Sequence, residues 1–237
     1  MELSLLGAAA IAVAVVNIAL RGEALLGTAT EGTRSLFDVA LTSVVVGLGV
    51  GRLGAMLGDG VNPLAHPGDF LIVRGGVATG WASLAAMATA AVVGRSHLWA
   101  VLDGISVAGV AGLAGWHAGC LVRHACLGTP SQLPWAMTQP GSTITRHPVE
   151  LYAALALALL AVGLAVWRRY RSPATGTAAA FALAGAALVR LLTEPLRPAL
   201  GSGPVGWYLA GLVAGATALV WRWRVARLAG TAPPLAG

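Results

Sequence analysis

Apolar residues fall into seven runs along the chain, at about 3–20, 37–57, 76–94, 98–122, 150–167, 177–193 and 205–221. Each is close to the roughly 20 residues that a helix needs to cross a bilayer. Polar positions collect between the runs, and the third and fourth are parted only by the four residues from Gly94 to His97. The pattern predicts an all-α polytopic membrane protein with seven transmembrane helices, one domain over 1–228 and a flexible tail over 229–237. The segment from Met1 to Ser4 lacks the basic start of a cleaved signal, and the apolar run after it exceeds a signal core, so it reads as a retained first span.

Composition agrees with that pattern. Hydrophobic residues make up 57% of the chain and charged residues 10%, with a mean hydropathy of +0.78, more apolar surface than a soluble domain of this length hides from water. The 32 glycines suit close helix approach in lipid better than flexible linkers. No repeat at a fixed period and no soluble domain stand out.

Charge then orients the spans. The fifteen cationic residues are all arginine, against nine carboxylates, for a formal charge of +6. They lie singly between apolar runs, which excludes the solvated basic patch of a nucleic-acid binder. Arg168, Arg169 and Arg171 follow the fifth span and Arg222, Arg224 and Arg227 the seventh, so both ends are expected in the cytoplasm. Arg21, Arg34 and Arg95 join them, which predicts an N-out, C-in topology. The loops at 58–75, 123–149 and 194–204 are then extracytoplasmic.

Six arginines, Arg52, Arg74, Arg123, Arg146, Arg190 and Arg197, fall in the outer half, where the carboxylates are Asp59, Asp69, Glu150 and Glu194. Charges at membrane depth face a bundle interior or an aqueous cavity. One reading is a set of ion pairs that lock helices together. The other is a cavity with surplus positive charge for a phosphate headgroup, which guanidinium grips with paired hydrogen bonds.

Chemistry concentrates in Ile144 to Tyr152, where Arg146, His147, Glu150 and Tyr152 meet the start of the fifth span. Pro148 suits a first helical turn, and Glu150 in that turn complements the helix dipole. His117, His124 and His147 are candidate general bases, each with an ordinary reading as a polar or interfacial contact. No histidine pair has the i, i+4 spacing of helical metal ligands, and none is expected. Cys120 and Cys126, six apart, would point to different faces of one helix and read as small apolar fillers rather than a disulfide or metal pair. Trp99, Trp135, Trp167, Trp207, Trp221 and Trp223 lie near span ends, as interfacial anchors do.

These residues carry a resemblance. The Arg146–Tyr152 segment is similar to the Arg-His-Pro-x-Gln-Leu-Tyr segment of the prolipoprotein diacylglyceryl transferases. Arg190–Pro198 resembles that family's Arg-x-x-x-Glu-x-x-Arg-x-Pro. Gly49–Gly54, Arg74–Gly76, Leu102–Asp103 and Gly128–Trp135 extend the similarity over roughly residues 36 to 200. The resemblance implies a bacterial cytoplasmic-membrane enzyme, with its site on the outer side, that moves the diacylglyceryl group of phosphatidylglycerol, or of another anionic phospholipid, onto the lipobox cysteine thiol of a preprolipoprotein. No cofactor is implied.

By that resemblance Arg190 serves the phosphate, with Arg146, Arg197 and Arg123 as further lipid-phosphate contacts. His147 and His117 join Arg190 as catalytic candidates, and Glu150, Tyr152, Glu194 and Arg52 support them. The chain also departs from the family. Gly80 to Ser83 replace a His-Gly-Gly-Leu segment, Trp116 to Cys120 replace Gly-Arg-x-Gly-Asn, Ala186 stands where the family has tyrosine, and Trp81 and Trp116 bring large rings to site positions. Two functions follow: a diacylglyceryl transferase, or a catalytically degenerate paralogue that binds anionic lipid or lipoprotein without transfer. A transporter is disfavoured because the charges gather toward one leaflet.

Overall fold

The structure, a computed structural model, describes residues 3–27, 33–65, 67–71, 76–123, 126–198 and 204–230. Within them the long elements are helices: α1 (Leu3–Leu25), α2 (Thr33–Gly58), α4 (Thr79–Val93), α5 (Leu98–Ala118), α7 (Val149–Arg171), α8 (Thr177–Thr193) and α9 (Val205–Gly230). Short pieces lie between them: α3 (Pro67–Leu71), α6 (Cys120–Arg123) and 3₁₀ turns at Arg95–His97 and Glu194–Leu196. The expected all-α architecture carries one small addition, an antiparallel ribbon of β1 (Met137–Thr138) and β2 (Thr145–Arg146), with Met137 opposite Arg146. Arg74 and His124 lie outside the described residues, as do 231–237 of the expected tail; α9 takes in 229 and 230.

Among the described residues six helices are long and apolar enough to cross a membrane, and the chain is a multi-pass membrane protein. The third expected span is apolar but shorter, at Gly80–Val93. Other ends differ from the hydropathy pattern for identifiable reasons. α7 continues past its last apolar residues because Arg168, Arg169 and Arg171 fill its final turn, where cations complement the exposed carbonyls. α5 is interrupted at Gly119, where ψ is −9°, and helix resumes as α6 at Cys120; a Cβ at Gly119 would press into Ala8 of α1.

α5 is the central post, with buried residues from Val101 to His117. One side meets α1, where Gly112 and Gly115 admit Val16, Val15 and Ala12. The other joins α7 and α8 in a core of Val107, Val110, Ala114, Leu157, Ala161, Leu164 and Ala182. α2 lies against α4 where Gly47 and Gly51 face Ala82 and Ala86, and α8 against α9 where Gly215 faces Ala184. Small residues let backbones approach and gain dispersion contacts, which drives association where lipid weakens the hydrophobic effect.

One end of the bundle is locked by a buried polar network. The Asp103 carboxylate accepts the N–H groups of Gly176 (2.5 Å) and Ala179 (2.8 Å), so a side chain of α5 caps the start of α8. Arg168 donates to the Asp103 carbonyl (2.8 Å) and pairs with Glu23 of α1. Gly176, at φ +89°, sits under the Trp99 ring, against which Arg222 also stacks at 5.5 Å. This end collects the arginines that follow the fifth and seventh spans; the other end carries the site.

Candidate functional site

The site is built around the first turn of α7. Pro148 caps that helix, its carbonyl accepting the N–H groups of Leu151 (3.0 Å) and Tyr152 (3.2 Å). The Glu150 N–H, unpaired within a helix start, donates to the Cys126 carbonyl at 3.3 Å. The loop before α7 is fixed in turn: the Gly128 N–H meets the His147 carbonyl (2.7 Å), and the Thr129 N–H meets the Leu196 carbonyl (2.8 Å). A Cβ at Gly128 would collide with that Leu196 carbonyl, so only glycine lets the loop lie this close to the end of α8.

Three elements thus deliver side chains to one carboxylate. His117, on the last turn of α5, places Nδ1 2.5 Å from Glu150 Oε2. Arg190, near the end of α8, places Nη1 4.0 Å from the same oxygen, and Arg197 brings Nε to 3.3 Å from Oε1. Glu194 completes the group, 3.7 Å from Arg190 Nη2 and 3.5 Å from Arg197 Nη1. His117, Glu150 and Arg190 are almost wholly buried, whereas the Arg197 side chain is 37% exposed.

Two features give this cluster chemical capacity. Glu150 grips one ring nitrogen of His117, and Nε2 remains to exchange a proton with something else, the arrangement of a base held by an orienting carboxylate. Arg190 is not fully satisfied: Nε and Nη2 donate to the Tyr208 hydroxyl at 3.4 and 3.2 Å, while Nη1 is buried with no hydrogen-bond partner among the described residues. A buried donor left open in a native fold calls for an explanation, and an anion bound beside it would supply one.

The remaining sequence-predicted residues lie on the loop before α7 and on α2, α6 and α7. Arg146 faces the loop, donating to the Gly128 carbonyl at 3.1 Å. His147 Nδ1 lies 3.4 Å from the Tyr152 hydroxyl, which itself accepts from Trp135 Nε1 at 2.8 Å. Arg52 binds the carbonyls of Asp69 (2.6 Å) and Gly76 (3.0 Å). Arg123 belongs to α6.

The structure corrects the reading of the cysteines. Cys120 and Cys126 form a disulfide, with Cα atoms 4.9 Å apart. The separation of faces assumed one continuous helix through both residues, but Cys120 opens the short α6, which ends at Arg123, and Cys126 lies beyond it outside any helix. Sequence reasoning also missed Tyr208, whose hydroxyl holds Arg190 from the first turns of α9; no local motif marks it. Its neighbour Trp207 is more than an interfacial anchor. Its indole lies against Gly80 of α4, so close that a Cβ there would overlap the ring, and 6.3 Å from the Trp81 ring.

Comparison with known proteins places the chain in one family. The family model described as prolipoprotein diacylglyceryl transferase matches residues 3–228. The phosphatidylglycerol–prolipoprotein diacylglyceryl transferase of Methylibium petroleiphilum is 31% identical over 217 residues, 83% of this chain and 80% of that relative. The protein of the same name from Cupriavidus metallidurans is 32% identical over 210 residues, 81% of this chain and 77% of the relative. That of Chlamydia trachomatis is 32% identical over 170 residues, 65% of this chain and 61%, less than two thirds, of the relative. With the matching motifs gathered on one buried carboxylate, this chain belongs to the prolipoprotein diacylglyceryl transferase family.

Proposed function

We propose that the chain transfers the diacylglyceryl group of phosphatidylglycerol to the lipobox cysteine thiol of a preprolipoprotein, at the outer face of a bacterial cytoplasmic membrane. In this reading seven helices cross the membrane, N-out and C-in, with the short α4 as the third span. The Glu150 end faces outward and the nine arginines of the opposite end face the cytoplasm.

The reaction needs a thiolate, an oriented lipid and an acceptor for charge on the leaving phosphate. His117, held by Glu150, takes the thiol proton on its free nitrogen. The sulfur attacks the diacylglyceryl carbon that bears the phosphate ester; a C–S bond forms, the C–O bond breaks, and glycerol phosphate leaves with the bonding electron pair. Arg190 and Arg197 meet the charge on that phosphate, where donors already in place cost no reorganisation as the barrier is crossed. Arg146 and His147 line the approach from the loop. The observation that carries the reading is the buried Nη1 of Arg190, which has no hydrogen-bond partner among the described residues, beside an acid–base pair.

A second reading, lipid binding without transfer, draws on the Trp207 ring packed over Gly80, a position where the family carries its His-Gly-Gly-Leu segment. Complementation separates the two. In cells depleted of their own transferase, this chain is expected to restore lipoprotein maturation and growth, and Arg190→Ala to abolish rescue while still inserting in the membrane. Insertion of the unaltered chain without rescue would support binding alone.

A further inference from the structure

The Cys120–Cys126 bond spans the two segments that carry the acid–base pair. Cys120 lies three residues beyond His117, and the Cys126 carbonyl receives the Glu150 N–H at 3.3 Å. Both cysteines are buried, at 0% and 4% exposure. From Cys126 onward the loop is tied to the start of α7 and the end of α8, through Gly128 to His147, His147 to Thr129 and Thr129 to Leu196. On the other side, Gly119 seats the end of α5 against Ala8 of α1. The helix-to-helix core of α5 and α7 lies deeper, from Val107 to Ala114 against Leu157 to Leu164.

At the level of the site, then, the covalent link from the first residue of α6, directly after α5, to the loop closes a ring: α5, Gly119 and Cys120, disulfide, Cys126 carbonyl, α7, and back through the His117–Glu150 contact. We propose that the Cys120–Cys126 disulfide is a positioning element that holds His117 against Glu150, so that transfer by this chain depends on the bond being formed. His117 is three residues from the bridge, and a shift of about 1 Å in a reacting group costs on the order of 10²-fold in rate. Such a bond persists in an oxidising compartment, which suits an outward-facing site. Opening it takes two electrons and two protons, supplied by a dithiol that closes to its own cyclic disulfide, and yields two cysteine thiols.

The inference rests on the proposed transfer, and the test keeps the two apart. Purified protein in phosphatidylglycerol vesicles is assayed with a lipobox thiol peptide in three states: as isolated, after dithiothreitol, and after reoxidation with oxidised glutathione. Alkylation and mass spectrometry count the thiols in each. Reduction is expected to lower kcat at least about tenfold, with the KM for lipid changed less than about twofold, and reoxidation to restore it. Recovery excludes simple unfolding. A Cys120→Ala, Cys126→Ala variant should be slow from the start and indifferent to dithiothreitol. Two free thiols in the isolated protein, equal kcat before and after a reduction that the thiol count shows to be complete, or full kcat in the Cys120→Ala, Cys126→Ala variant would overturn this inference alone. Absence of transfer in every state would overturn the transfer reading and this inference with it.

Discussion

Replacing Glu150 by glutamine keeps the side chain's shape and removes the charge on which His117, Arg190 and Arg197 converge. The magnitude follows from the geometry. At 4.0 Å the Arg190–Glu150 attraction is about 4 kcal/mol at an effective dielectric near 20. Removing one partner of a buried pair costs about 3–5 kcal/mol, because the other charge stays buried. Arg197 adds little, since more than a third of its side chain is exposed and solvent screens it. Glu194 retains contact with Arg190 at 3.7 Å, which favours the low end, about 3 kcal/mol of stability. The reaction loses more than stability, because an amide no longer holds the imidazole as a carboxylate does. Loss of an orienting carboxylate lowers kcat by up to about 10⁴-fold, and we expect at least about 100-fold here. The assay follows diacylglyceryl appearing on a lipobox thiol peptide by mass spectrometry, with the variant in vesicles below its unfolding temperature. KM for lipid should move less than kcat, since Arg190 remains. A folded Glu150→Gln protein retaining more than about a third of the normal kcat would refute the reasoning.

Other outcomes follow from the same contacts. Arg190→Lys keeps a charge but cannot span Tyr208 and an anion with a planar fork, so kcat should fall about 10²-fold in the same assay. Asp103→Ala removes the cap of α8 at the far end and should lower the thermal midpoint by an amount equivalent to about 0.5–2 kcal/mol, with Asp103→Asn intermediate, measured by thermal unfolding in detergent. Gly128→Ala sets a methyl against the Leu196 carbonyl, which is backbone and cannot step aside; it should destabilise by about 1–3 kcal/mol, read by the same unfolding.

The spans were legible because lipid demands uninterrupted apolar runs, and a charge within one stands out. Arg190 could be picked from the sequence for that reason, and Glu194 and Arg197 from the family resemblance of the segment that follows it; α8 with its following turn brings the three together locally. The partnership of His117 with Glu150 had no local signal: 33 residues separate them, and only the packing of α5 on α7 makes them neighbours. Tyr208 was hidden in the same way, as a single aromatic beside an interfacial tryptophan. The disulfide escaped because the argument from helix faces places both cysteines on one helix, whereas α6 ends at Arg123 and Cys126 lies outside any helix. Arg168 was accounted for by loop charge alone, yet it is buried between Glu23 and the Asp103 carbonyl. Two carboxylates at membrane depth, Glu23 and Asp103, were the signal that could have revealed that lock.

The most direct test reconstitutes the purified chain in vesicles containing phosphatidylglycerol, adds a peptide bearing a lipobox cysteine, and weighs the peptide. The expected result is a mass increase of one diacylglyceryl group on the thiol, matched by released glycerol phosphate and lost in Arg190→Ala and His117→Ala. A peptide that stays unmodified while the protein holds the lipid would contradict it.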